Sequence, residues 1–209
     1  MNILYIRYFI VILVIWNSSA VIYSQSTARI VLDAEYDGDM VRLTWAPNSD
    51  TIWALGNKFG YSITRTDGSN KTTLIAKSIK PKPLSWFEAN EQLDNGFIYV
   101  IGKILYDPEY NKQLVHESLT NQRIQYDYLV PEAIRSPLVA SSLGLNFLDS
   151  TVISGQNYTY NLSFKDSLGT LFQSEISINL DGGNLGLKTN DLAQLKFDRN
   201  YFGVFFCHS

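Results

Sequence analysis

The chain has 209 residues, 45% of them hydrophobic and 18% charged, a composition that can bury a core and argues against wholesale disorder. Its net charge is −3, and its densest basic stretch is Lys80-Pro81-Lys82-Pro83, too few cations to neutralise several phosphates, which argues against nucleic acid as a partner. Cys207 is the only cysteine, so no internal disulfide can form and burial alone must hold the fold together.

In chain order, "MNILYIRYFIVILVIWNSSAVIYSQS" comes first, with Arg7 as its only charge and an apolar stretch from Tyr8 to Trp16. A helix needs ~20 apolar residues to cross ~30 Å of hydrocarbon, so this short stretch reads as a secretory signal peptide over residues 1–24. Cleavage after Ala20 and after Ser24 both fit, and an uncleaved anchor is the rival. The expected product is secreted or held at the cell surface, with no membrane span once the signal is removed. It keeps 16 basic against 20 acidic residues.

"ARIVLDAEYDGDMVRLTWAP" follows, with period-two alternation on both sides of Asp37-Gly38. Val41, Leu43 and Trp45 face one way and Arg42 and Thr44 the other, a hairpin signal in which glycine supplies the turn's positive φ. "GYSITRT" alternates Tyr61 and Ile63 against Ser62 and Thr64, and "DGSNKTTLIA" turns into a short returning strand. The texture then becomes helical. Ser85 and Glu88 have capping-box spacing, and Leu93, Phe97, Val100, Ile101, Ile104 and Leu105 form a stripe that Asp107-Pro108 ends. A weaker helical stretch covers about His116 to Leu129. A third starts at Ser136 with Pro137 in its first turn and closes at Gly144. After this helical segment, residues 81–144, strand texture returns in "LNFLDSTVISGQNYTYNLSF" and "LFQSEISINL".

The expected fold class is therefore mainly β: about seven strands in a two-sheet sandwich, interrupted after the fourth strand by a helical insertion. Roughly 90 residues lie outside the insertion, the size of a small immunoglobulin-like sandwich. Two stretches resemble fibronectin type III domains. "VRLTWAP" is similar to a second strand whose Trp45 anchors the core, followed by "GYSITR" with Tyr61 as the third. "DSTVISGQNYTYNLSF" is similar to the family's turn-plus-tyrosine segment. The resemblance implies that Val152 closes the fifth strand, Gly155 makes the turn, and the Tyr158 hydroxyl bonds back to backbone a few residues upstream. The insertion and the long connection "PNSDTIWALGNKF" depart from the family pattern, and insert-bearing versions of this kind suit an exported, multi-domain bacterial surface protein.

The tail repeats the opening. Glu35 to Trp45 can be laid over Lys196 to Phe206 without a gap, so that Trp45 meets Phe206. This predicts a domain at 25–180, a linker at 181–190 and the start of a second, truncated sandwich at 191–209. A C-terminal strand pairing with the first domain is the alternative.

Chemistry is sparse. His116 beside Glu117 reads as a solvated pair, and two distant histidines, His116 and His208, with Cys207 do not make a zinc set. Asp33, Asp37 and Asp39 suit a hairpin turn better than a calcium loop. No nucleophile elbow or phosphate loop is present, and twenty acidic residues leave paired carboxylates, and with them an enzyme, open as a third reading without singling out any pair, so no particular catalytic residue, metal or cofactor is expected. The binding candidates are two aromatics: Trp53 in the connection between the second and third strands, and Trp86 at the start of the first helix, where an apolar stripe favours a core role. The expected function is a non-catalytic exported module, a spacer, scaffold or adhesion unit with a protein or glycan partner at the cell surface. The alternative is an accessory carbohydrate- or substrate-binding module of a larger secreted hydrolase.

Overall fold

The computed structural model describes residues 29–114 and 119–180. The segments expected to be a signal peptide (1–24), a linker (181–190) and a second hairpin (191–209), with His116, Cys207 and His208, lie outside the described residues. Strands β1 (Ile30–Tyr36) and β2 (Val41–Pro47) pair antiparallel from Ile30↔Pro47 to Tyr36↔Val41. Gly38 has φ 105 in the loop between them, and the Asp37 carboxylate accepts the N–H groups of Asp39 and Met40. That carboxylate is spent on its own turn, as an Asx turn requires. In β2, Val41, Leu43 and Trp45 are buried and alternate with half-exposed Arg42 and Thr44.

The connection after β2 is not a loop. Helix α1 (Asp50–Phe59) starts at Ser49, whose hydroxyl caps the Ile52 N–H, and ends at Gly60, φ 80. It leads into β3 (Tyr61–Asp67) and β4 (Thr72–Ile79), a hairpin whose turn is tied by the Asp67 carboxylate to the N–H groups of Ser69 and Lys71.

Five helices follow: α2 (Leu84–Ala89), α3 (Phe97–Tyr106), α4 (Pro108–Leu114), α5 (Asn121–Arg135) and α6 (Pro137–Ser142). The expected capping box at Ser85 is not formed. The helix begins two residues earlier, at Leu84 after Pro83, so Ser85 lies inside it, and there is no side-chain cap. Leu93 falls in the tight turn Leu93–Gly96, where Asp94, Asn95 and Gly96 all have positive φ, so the predicted stripe starts at Phe97. Asp107 is only a break, because Pro108 re-enters a helix at its first position. Ser136 caps Val139 and Gly144 turns with φ 64, as the sequence predicts. The ends of the segment meet: Lys82 donates its N–H to the Ser142 carbonyl at 2.8 Å, and Gly144 packs where a Cβ would lie 2.6 Å from the Lys80 backbone.

Strand β5 (Asn146–Asp149) then joins β2, and β6 (Asn157–Lys165) and β7 (Leu171–Asn179) complete the other sheet. The fifth strand stops at Asp149, short of the Val152 expected from the resemblance. The result is two antiparallel sheets, ordered β1-β2-β5 and β4-β3-β6-β7. The two antiparallel sheets are there, but about 39% of the described residues are helical and 34% are in strands, so the described part mixes helix and strand and is not mainly β.

One core joins both sheets and the helices. Trp45 from the three-stranded sheet meets Tyr61 from the four-stranded sheet at 5.5 Å, edge to face, and Tyr61 meets Phe164 at 5.4 Å. Tyr158 is buried too, and its hydroxyl accepts the Ile153 N–H at 3.0 Å, five residues upstream, across the turn at Gly155 (φ 79). Among the described residues no helix is long and apolar enough to cross a membrane.

Candidate functional site

Helix α3 has two faces. Ile98, Ile101, Ile104 and Leu105 are buried, whereas Tyr99, Lys103 and Tyr106 recur at four- and three-residue steps on the other side. Helix α2 lies against α3 because Gly102 carries no side chain: a Cβ there would fall 2.6 Å from the Cβ of Phe87. This close approach leaves a cleft of about 190 Å³ between the helices, lined by Leu84, Phe87, Glu88, Tyr99, Lys103, Tyr106 and Asp107. Leu84, Tyr99 and Tyr106 are each about 40% exposed at its mouth (41%, 40% and 41%).

The walls are fixed before any ligand arrives. The Tyr106 hydroxyl donates to the Lys82 carbonyl at 2.6 Å, its ring stands edge-on to Phe87 at 6.0 Å, and partial burial pushes its phenol pKa up. Lys103 pairs with Asp107 at 3.1 Å, and its ammonium lies 5.8 Å from the centre of the Tyr99 ring. Hydrogen bonding to Asp107 holds the Lys103 ammonium above its ordinary pKa. The Tyr110 N–H, followed by Lys103, holds the Asp107 carboxyl below its own. Glu88 makes no hydrogen bond or ion pair among the described residues and remains an open acceptor at the rim. A wider, shallower recess of about 440 Å³ lies over α6 and β5, with Leu138 and Leu148 exposed and Arg42 beside them.

The two aromatics singled out in the sequence stand elsewhere. Trp53 is 0% exposed, under α1 beside Ile52 and Gly56, and cannot stack on a glycan. Its expected surface role is corrected: the connection that should have displayed it is an amphipathic helix with that face inward. Trp86 is half-buried and packs edge-on to Phe87 at 5.2 Å, behind the cleft wall rather than in the lining. The residues that do line the cleft carried a readable sign, the Tyr99-Lys103-Tyr106 stripe opposite the isoleucines.

A second polar cluster joins the sheets. Asp149 is 3% exposed and accepts hydrogen bonds from Arg65 at 2.7 Å, Tyr160 at 2.9 Å and the Thr151 hydroxyl at 2.6 Å. The Arg65 guanidinium also donates to Thr151 and lies 4.8 Å over the Tyr158 ring. Burial alone would raise the Asp149 carboxyl. The bonds from Thr151, Arg65 and Tyr160 outweigh it and leave the pKa lowered. With every oxygen engaged, this is a clasp between β3, β5 and β6 rather than an open site.

Gly102→Ala tests how the cleft is built. Alanine gains about 1 kcal/mol in helix propensity, but overpacking against Phe87 costs about 1–3 kcal/mol, and the Phe87 Cβ has no freedom to swing aside. Net destabilisation of about 1 kcal/mol is expected in urea unfolding. A variant as stable as the parent would show that α2 does not sit this close.

A scan against protein-family models finds no match to this chain, and searches of the curated proteins and of the solved structures find none either.

Proposed function

We propose that the chain is an exported, non-catalytic module: a fibronectin-type-III-like sandwich that serves as a spacer or adhesion unit and carries its helical segment as the recognition arm. One observation carries the reading. Strands one, two and five lie in one sheet and strands three, four, six and seven in the other, and they are joined at the β5–β6 turn by the Tyr158 hydroxyl on the Ile153 N–H. The buried polar side chains at Asp149 support it, because they are spent on holding the sheets together. The arm is the part with an open, rigid, aromatic-lined cleft. That cleft also favours the second reading, an accessory binding unit of a larger secreted protein, with the contact moved from Trp53 to Tyr99.

Export is tested by fusing residues 1–24 to a reporter enzyme that is active only outside the cytoplasm. Reporter activity that disappears when Arg7, Val11 and Leu13 are replaced by aspartate is the expected result. A fusion that stays inside and inactive would overturn the exported-module reading.

A further inference from the structure

Resting on that reading, we propose that the cleft between α2 and α3 binds a neutral sugar ring, with Tyr99 and Tyr106 as its apolar walls and Glu88, Asp107 and Lys103 as its hydrogen-bonding groups.

Charge and hydrogen-bond complementarity select the occupant. A cationic ligand would meet the Lys103 ammonium, and an anion would meet Glu88 and Asp107. An aliphatic side chain from a protein partner would fill the apolar walls. It would also cover the Lys103–Asp107 pair, now 34% exposed on each side, and return no hydrogen bond. A polyhydroxylated ring satisfies both demands. Its C–H face lies on an aromatic surface, while its hydroxyls donate to Glu88 and to the second lone pair of Asp107 Oδ2 (Oδ1 being taken by the Glu109 and Tyr110 N–H groups) and accept from the remaining Lys103 hydrogens. Rigid walls lower the ordering cost of binding, since Tyr106 is already fixed to Lys82 and Phe87 is fully buried at Gly102.

Drug-sized ligands occupy about 300–1,000 Å³. The 190 Å³ here suits one ring. A ligand of about 12 non-hydrogen atoms at ordinary efficiency binds with a Kd on the order of millimolar. Affinity of biological use would then come from repetition along a polysaccharide or among clustered copies.

The test uses the full chain and saturation-transfer NMR with the methyl glycosides of glucose, galactose, mannose, xylose and N-acetylglucosamine, each to about 10 mM. At least one is expected to bind. Tyr99→Ala and Glu88→Gln should each weaken it about tenfold or more, and Leu168→Ala, at an exposed turn far along the chain, should leave it unchanged. Circular dichroism of each variant checks folding, and both substitutions fall on exposed side chains. Failure of all five glycosides, or binding that survives both substitutions, overturns the proposal. So does a protein partner captured through Tyr99 without sugar. A chain that is exported yet ignores every glycoside loses the sugar and keeps the module reading. A chain retained inside the cell loses the module reading whatever it binds.

Discussion

Replacing Trp45 with alanine is expected to cost about 3–5 kcal/mol, the range for deleting a large aromatic from a packed core. The indole is 1% exposed, sits on β2 in the centre of its sheet, and touches Tyr61 of the opposite sheet at 5.5 Å. Its loss opens a void at the point where the two sheets meet, and neither backbone can close in, because β2 is pinned on both sides by β1 and β5. A single domain of this size has about 5–15 kcal/mol to lose, so the variant sits near the edge of folding. Trp45→Phe should cost less than half as much. It keeps most of the ring, and the indole N–H it removes has no hydrogen-bond partner among the described residues, so no bond to them is forfeited. Urea midpoints followed by far-ultraviolet circular dichroism check both. A Trp45→Ala loss below about 1 kcal/mol would mean that this residue does not hold the sheets together.

Asp149→Ala is the second large effect, at about 3–5 kcal/mol, because it strands a guanidinium and a phenol that were satisfied together. Arg65 is only 17% exposed, so water cannot fully replace the carboxylate. Substituting both partners with apolar residues, Arg65→Met with Asp149→Leu, should recover much of the loss. The pH dependence has a definite sign. The folded Asp149 carboxyl is held below its unfolded value, so its contribution is complete above about pH 4 and is lost as the pH falls through the folded pKa. Asp37, Asp67, Asp107 and Asp166 are lowered as well, so the diagnostic quantity is the difference between the parent and Asp149→Asn, which should shrink on acidification. At the alkaline end, burial raises the phenols of Tyr61 and Tyr160 and pushes Tyr126 up to about 12. Their contribution is complete below about pH 10 and fades as the pH climbs through those raised values. An acid limb identical in the parent and in Asp149→Asn would remove the clasp from the account.

The sheets were legible wherever one face is buried, because period-two alternation is local. Val41, Leu43 and Trp45 show it, and so do Tyr158, Tyr160, Leu162 and Phe164, all buried. The helical segment was legible for the same reason, with helices spanning Leu84 to Ser142 inside the predicted 81–144. Helix α1 was missed between two strands, although Ser49 and Gly60 marked its ends, because a ten-residue run with Gly56 in it carries weak propensity. Reading that run as a loop made Trp53 look displayed. One wall of the cleft showed as the Tyr99-Lys103-Tyr106 stripe, but the cleft itself and the clasp had no local sign. The first depends on Phe87 meeting Gly102, and the second on Arg65, 84 residues before Asp149. Contacts of that span are set by packing, which no window of neighbouring residues contains.

The hydrogen bond between Lys82 and Ser142 has a consequence for chain entropy. Pairing β5 with β2 brings together Val41 and Asp149, more than a hundred positions apart along the chain. Once the helical arm has closed on itself, the path through its neck is about half as long, and halving a loop lowers its closure cost by only about 0.6 kcal/mol. Grafting five helices between β4 and β5 therefore adds almost no closure penalty to the β2–β5 pairing, which explains how so small a β framework carries so large an appendage.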